Sequence, residues 1–244
     1  MMRENSKDKY EITGEQLNLN QVTPLLQTLT KIQQEIIKVA QEQMEKHYVL
    51  DTENLYMLCI RYIDGDRRYI TRDFNELIDK KVLVNGAAIN GVNIFDNDIR
   101  KQIYQYILEE PGVHFTRIKD FIGKDSRTVK WHLYQLQKFD LIRVENFSNN
   151  KIFFDFLLPN EHDNIYYYIQ KVGTKEILRA VLEHPNLEFT DLFEMLDYPR
   201  STLTRKFKVL TEEGILTIDR EGNKIISISI NANYKEIVQK SIYK

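Results

Sequence analysis

Between Ser126 and Leu136 the chain reads Ser-Arg-Thr-Val-Lys-Trp-His-Leu-Tyr-Gln-Leu. Val129, Leu133 and Leu136 recur at helical spacing and make one apolar face, which leaves Arg127, Lys130, Trp131 and Tyr134 to project from the other. A guanidinium, an ammonium and two amphipathic rings on one narrow helix suit a nucleic-acid groove. The cations donate to base edges or neutralise phosphates, and the rings pack on a sugar or a thymine methyl. From Arg117 to Lys138, six cations (Arg117, Lys119, Lys124, Arg127, Lys130, Lys138) stand against Asp120 and Asp125, a local charge of +4. The whole chain carries -2 at pH 7, so the field that attracts a polyanion has to be local. The plainer reading is a solvated helix face, since such faces carry lysines anyway. Trp131 does not fit a solvated face unless it lies against another part of the chain.

Other chemistries lack their residues. The five histidines, His47, His114, His132, His162 and His184, show no paired metal-ligand spacing, and His132 reads as a packing residue. No Gly-rich phosphate loop, nucleophile elbow or framed carboxylate pair is present, so no enzyme, metal or cofactor is expected. The single cysteine, Cys59, lies between Leu58 and Ile60; it excludes an intrachain disulfide and reads as a small core residue. Tyr166, Tyr167 and Tyr168 read as aromatics of a short linker helix packed between domains, in preference to a ligand patch.

The basic helix is present twice. At an offset of 74 residues, without a gap, Arg200 to Leu210 repeats it, with Leu203, Phe207 and Leu210 as the apolar face and Arg205 and Lys206 in the places of Trp131 and His132. The same offset lays Pro185 on Pro111, Phe189 on Phe115, Thr190 on Thr116 and Thr202 on Thr128. Arg200, Ser201, Thr204, Arg205, Lys206 and Lys208 could face a phosphate backbone. Glu188, Asp191, Glu194 and Asp197 precede them, however, and would repel one.

These helices need a frame to hold them. Residues 1–20 read as a polar tail, and 21–50 as one amphipathic helix starting at Thr23 and Pro24 and running to about His47. Val22, Leu25, Leu29, Ile32, Ile36 and Val39 step by threes and fours like a coiled-coil seam, predicting either homodimerisation or packing on the chain's own second domain. Residues 51–92 predict two helices, the first closed by Asp64-Gly65-Asp66 and the second followed by a Val82 to Val84 strand with a turn at Asn85-Gly86, an order that could be a degenerate winged helix. From 93 to 160 the order is a helix burying Ile99, Ile103, Tyr106 and Ile107, a second capped by Thr116, a third capped by Ser126, and a hairpin turning at Asn149-Asn150. Lys151 lies on that hairpin. Residues 161–231 repeat the order, and 232–244 predict a last helix.

With only 9 Gly and 5 Pro, the chain is expected to be mainly α, with small β-hairpin wings. No apolar run approaches the ~20 residues of a membrane span, and the N-terminus is too polar for a signal peptide, so a cytoplasmic location is expected.

Helix-helix-turn-helix followed by a hairpin is the winged-helix order. Its wording here, Glu-Glu-Pro-Gly-Val-His-Phe-Thr-Arg-Ile and Ser-Arg-Thr-Val-Lys-Trp-His-Leu, resembles the tandem winged-helix transcriptional regulators of archaea. These are distantly related to the arsenic-repressor and antibiotic-resistance-regulator superfamilies. The resemblance covers roughly residues 95–230; the second copy departs from it at Lys206 and Asn186. It implies sequence-specific binding of double-stranded DNA by the third helix of each unit, with the wing beside the backbone. The DNA-facing residues are then Lys124, Ser126, Arg127, Thr128, Lys130, Trp131, Tyr134, Lys138, Lys151, Arg200, Ser201, Thr204, Arg205 and Lys208. The rival expectation is a protein-assembly scaffold, because tandem winged helices also build ESCRT-II-like subunits; the near-neutral charge and the acidic second copy favour it.

Overall fold

Thr30 closes the start of the first described helix. Its hydroxyl accepts from Gln33 N at 3.1 Å while the Gln33 side chain accepts from Thr30 N at 3.0 Å, a reciprocal cap that satisfies two otherwise orphaned donors. The structure is a computed structural model that describes residues 29–184, 187–222 and 224–244. α1 therefore runs Lys31–His47, and Leu29 and Thr30 precede it in non-helical backbone, which corrects the unbroken helix expected from Thr23; Thr23 and Pro24 themselves lie outside the described residues.

The remaining elements are α2 Thr52–Tyr62, α3 Arg67–Asp79, α4 Asp98–Glu109, β1 Val113–His114, α5 Phe115–Ile122, α6 Ser126–Lys138, β2 Ile142–Phe147 and β3 Asn150–Asp155. They continue with α7 Asp163–Ile169, α8 Thr174–Glu183, α9 Phe189–Met195, α10 Arg200–Glu212, β4 Leu216–Glu221, β5 Lys224–Ile230 and α11 Lys235–Ile242. The fold is mainly α with small antiparallel sheets. The 74-residue period survives in the backbone: α6 and α10 begin and end 74 residues apart, and so do β2 and β4.

Two compact units are present. Of the described residues, one takes in those up to Glu109 with Ile118–Arg143, and the other those of Glu110–Arg117 with Val144–Lys244.

In the first unit α1, α2 and α3 pack on one another around Ile36, Ala40, Leu55, Cys59, Ile70, Phe74 and Leu77. Thr30 ties the α1 cap to α3 through a 2.5 Å bond to the buried Asp73 carboxylate, which also takes two bonds from Arg72. The strand expected at Val82 to Val84 is absent, and no hairpin follows it. Val82 N and Leu83 N both donate to the Leu77 carbonyl, at 2.9 and 3.1 Å, so the run closes the end of α3 and drops two apolar side chains into the core. The Asn85-Gly86 turn is real: Gly86, at φ +69, donates to Leu50 O, and Leu50 N donates to Ala87 O. α4 packs on α6 in this unit. Its buried face is Arg100, Ile103, Tyr104 and Ile107, a rotation from the expected one that leaves Ile99 and Tyr106 only partly covered.

The second unit holds β1 antiparallel to β3, with Val113 opposite Phe153, in a sheet ordered β1-β3-β2, and a hairpin of β4 and β5 with an irregularity at Asp219/Arg220. The turn between β2 and β3 is Ser148-Asn149, at φ +46 and +65, with Asn150 already in the strand; two left-handed residues match the twist of a tight hairpin, one position before the turn expected from sequence. Ile165 and Ile169 of α7 join the core of α8, α9, α10 and α11 with Leu178, Leu192, Leu203, Phe207 and Val238. Tyr167, on the same short helix, lies with Ile152 and Phe154 and stacks on Phe147 at 4.6 Å.

Candidate nucleic-acid interface

Helix α6 is started by Asp125, not Ser126. The Asp125 carboxylate accepts from Arg127 N at 2.8 Å and Thr128 N at 3.1 Å and takes the Thr128 hydroxyl at 2.5 Å, a load of three donors that a serine hydroxyl cannot carry in this geometry. These bonds, the one from Thr128 foremost, hold the Asp125 carboxyl below the usual carboxylate range. Ser126 is thus the first residue of the helix. Thr116 is likewise inside α5, which begins at Phe115.

The face of α6 divides as its spacing requires. Val129, Leu133 and Leu136 are buried with His132 and Gln135, while Ser126, Arg127, Lys130, Trp131 and Tyr134 are exposed, the two rings at 42% and 53%. Lys124 is exposed on the turn before the helix.

Trp131 does not stand alone. Arg100 of α4 places its guanidinium 5.7 Å from the indole, and His132 lies edge-on to it at 4.9 Å. Arg100 is 3% exposed and donates to the carbonyls of Ile94 and Asn93, which satisfies a charge the fold has buried. Burial, then the Arg100 charge, holds the His132 imidazole below its ordinary pKa, and its Nδ1 has no hydrogen-bond partner. Sequence reasoning missed Arg100, although its spacing from Ile103 and Ile107 placed it on the covered face.

Lys138, at the far end of α6, is occupied elsewhere. Its ammonium donates to Gly86 O at 2.7 Å and Asn85 O at 3.2 Å and lies 5.2 Å from the Tyr134 ring. It staples α6 to the turn after α3.

In the second unit α10 repeats the layout. Leu203, Phe207 and Leu210 are buried, and Arg200, Ser201, Thr204, Arg205 and Lys208 are exposed. The Arg200 guanidinium lies 4.5 Å from the Phe193 ring, the Thr204 hydroxyl donates to Arg200 O, and Lys208 pairs with Glu212 at 3.7 Å. Lys206 donates to the Val172 carbonyl; burial, then Arg205, lowers its pKa. Of the four carboxylates that precede α10, Asp191 is committed to capping α9 through Glu188 N, and Glu194 and Asp197 are exposed. Lys151 is exposed on β3.

The dimerisation residues divide. Val22 and Leu25 lie outside the described residues, Ile36 is fully buried in its own chain, and Leu29, Ile32 and Val39 pack against the same core. The seam has an intrachain partner.

Among the described residues no group of three or more His, Cys, Asp or Glu could hold a metal ion, and no helix is long and apolar enough to cross a membrane. Cys59 is buried, with its thiol pushed up to about 11 by desolvation.

The architecture thus defined is a mainly α protein in which a basic-faced helix of 13 residues precedes a small hairpin, twice. The chain is similar to an uncharacterized HTH-type transcriptional regulator of Methanocaldococcus jannaschii, with 28% identity over 163 residues. That likeness covers 64% of this chain and 41% of the archaeal protein, so the chain spans about two fifths of its relative's length. No family model matches the chain.

Proposed function

We propose that this chain is a DNA-binding transcriptional regulator built on two tandem winged-helix units, 93–160 and 161–231, with α6 as the main reader and α10 as a weaker one. The observation that carries the reading is the division of α6: Arg127, Lys130, Trp131 and Tyr134 face solvent over an apolar face that is entirely buried. A helix held this way can enter a major groove without unpacking. The similarity to a protein named as an HTH-type transcriptional regulator supports the same reading.

Arg127 and Lys130 would then meet base edges or phosphates near the start of the helix, and Trp131 and Tyr134 a sugar or methyl surface. Ser126 and Lys124 would approach the backbone there, and Thr128 fixes the helix start through Asp125. Lys151, on the hairpin of the first repeat, would supply a backbone contact, and Arg200, Ser201, Thr204, Arg205 and Lys208 would do so in the second. Lys138 serves the fold. No cofactor enters this reading, and a cytoplasmic location accompanies it.

The test is binding to duplex DNA as a function of salt. The affinity should fall steeply, with a log-log slope that drops by roughly one unit for each phosphate-contacting cation removed, in Arg127→Ala and Lys130→Ala, and by less in Arg205→Ala. An absence of binding to random duplex at low salt would sink the reading. That outcome would favour a protein-assembly scaffold instead, the reading supported by the net charge of -2 and by the exposed carboxylates of Glu194 and Asp197 near α10.

A further inference from the structure

Helix α2 buries Leu55 and Cys59 and leaves the opposite side uncovered. On that side Glu53, Met57 and Arg61 follow one another at four-residue steps, so they form a single stripe along the helix. Met57 is 65% exposed at its centre. Tyr48 and Val49, 82% and 47% exposed, stand before the helix. Tyr48 also sits at φ +65, a left-handed backbone that an aromatic residue adopts at a cost. The fold gains no packing from this exposed ring.

The order of charges along the stripe has a symmetry. Glu53 lies four residues before Met57 and Arg61 four after, a separation of ~12 Å that prevents the two from pairing with each other. Laid antiparallel on a second copy with Met57 at the crossing point, each Glu53 meets Arg61 of the other copy. A parallel arrangement would set like charge against like. The stripe is therefore complementary to itself under a two-fold rotation, as an isologous interface requires.

We propose that the outer face of α2 is the homodimer contact of this protein, with the two-fold axis passing beside Met57. The described residues of the seam expected to serve that purpose, Leu29, Ile32, Ile36 and Val39, pack against the core of their own chain. An 11-residue helix is ~16 Å long, so the contact falls below ~1,200 Å² of total buried area, the class of weak and reversible associations. The inference stands apart from the DNA reading, since its readouts need no DNA.

Sedimentation or light scattering of the full chain from about 1 to about 200 µM should show a monomer–dimer equilibrium in the micromolar range. Glu53→Lys and Arg61→Glu should each weaken it at least ~10-fold, and the double exchange should restore it. Met57→Cys should form a disulfide-linked dimer with oxidised glutathione, because a residue at a two-fold axis meets its own copy, whereas Cys59 is buried and stays out of reach. A chain that is monomeric throughout this range overturns the proposal. So does a dimer that keeps its affinity in Glu53→Lys and leaves Met57→Cys uncrosslinked, and so does a double exchange as weak as either single one.

Discussion

Gly112 should be the least replaceable glycine of the first repeat, and Gly123 its control. Both hold a left-handed backbone, at φ +83 and +66. A methyl on Gly112 would stand 2.7 Å from the carbonyl carbon of Tyr166, 2.8 Å from its oxygen and 3.0 Å from Tyr167 N, whereas a methyl on Gly123 would meet nothing within 4 Å. All three atoms are backbone of α7, so no rotamer change relieves the contact. The left-handed conformation costs an alanine about 1 kcal/mol at either site. Only at Gly112 does overpacking add about 2 kcal/mol, giving about 3 kcal/mol in all. Gly112 N also donates to Phe153 O at 3.1 Å, so the shift the methyl forces falls on the place where α7 lies against the β1–β3 pair. Urea denaturation of Gly112→Ala and Gly123→Ala, read as the change in midpoint at unchanged slope, separates the two contributions. The expected difference is ~2 kcal/mol, roughly 30-fold in the ratio of folded to unfolded chain. Equal losses in the two variants would refute the close approach of α7 to Gly112.

Lys138→Ala should cost ~1–2 kcal/mol of stability, because it removes a charged donor from Asn85 and Gly86, and should leave the salt dependence of DNA binding at its wild-type slope; a fall in the slope would return Lys138 to the phosphate contacts. His132 makes stability depend on pH. Its folded pKa is depressed, so below the ordinary value near 6.5 the unfolded chain binds the extra proton. The contribution is complete above ~6.5 and is lost as pH falls toward the depressed value. Denaturation midpoints at pH 7.5 and 5.5 should therefore diverge in the wild type and converge in His132→Gln, and equal divergence in both would place the sensitivity elsewhere.

Much of the candidate site is legible in the sequence, for reasons of period. Val129, Leu133 and Leu136 recur as a helix turns, and the same residues lie buried while Arg127, Lys130, Trp131 and Tyr134 lie outside. The offset of 74 carried over from sequence to element boundaries, since a repeated pattern of apolar positions and turns folds locally in the same way. Where the expectations failed, a tertiary contact had outweighed a local one. Val82 to Val84 has the composition of a strand, but the amides of Val82 and Leu83 close α3 instead. Ser126 is a good N-cap residue, but the preceding carboxylate takes both amides. Ile99 lost its place in the core to Arg100, whose guanidinium donates to the distant carbonyls of Asn93 and Ile94.

The sequence by itself determined which face of each basic helix is apolar, that the helix is made twice, and that the cations gather around the first copy, because helical period and local charge are properties of neighbouring residues. Only the tertiary structure decided that Lys138 is tied to a turn some fifty residues earlier, that Leu29, Ile32, Ile36 and Val39 of the seam pack on their own chain, and that Trp131 lies over a buried arginine. Those outcomes depend on which distant groups arrive at the same place, and a linear pattern carries no information about a partner it does not adjoin.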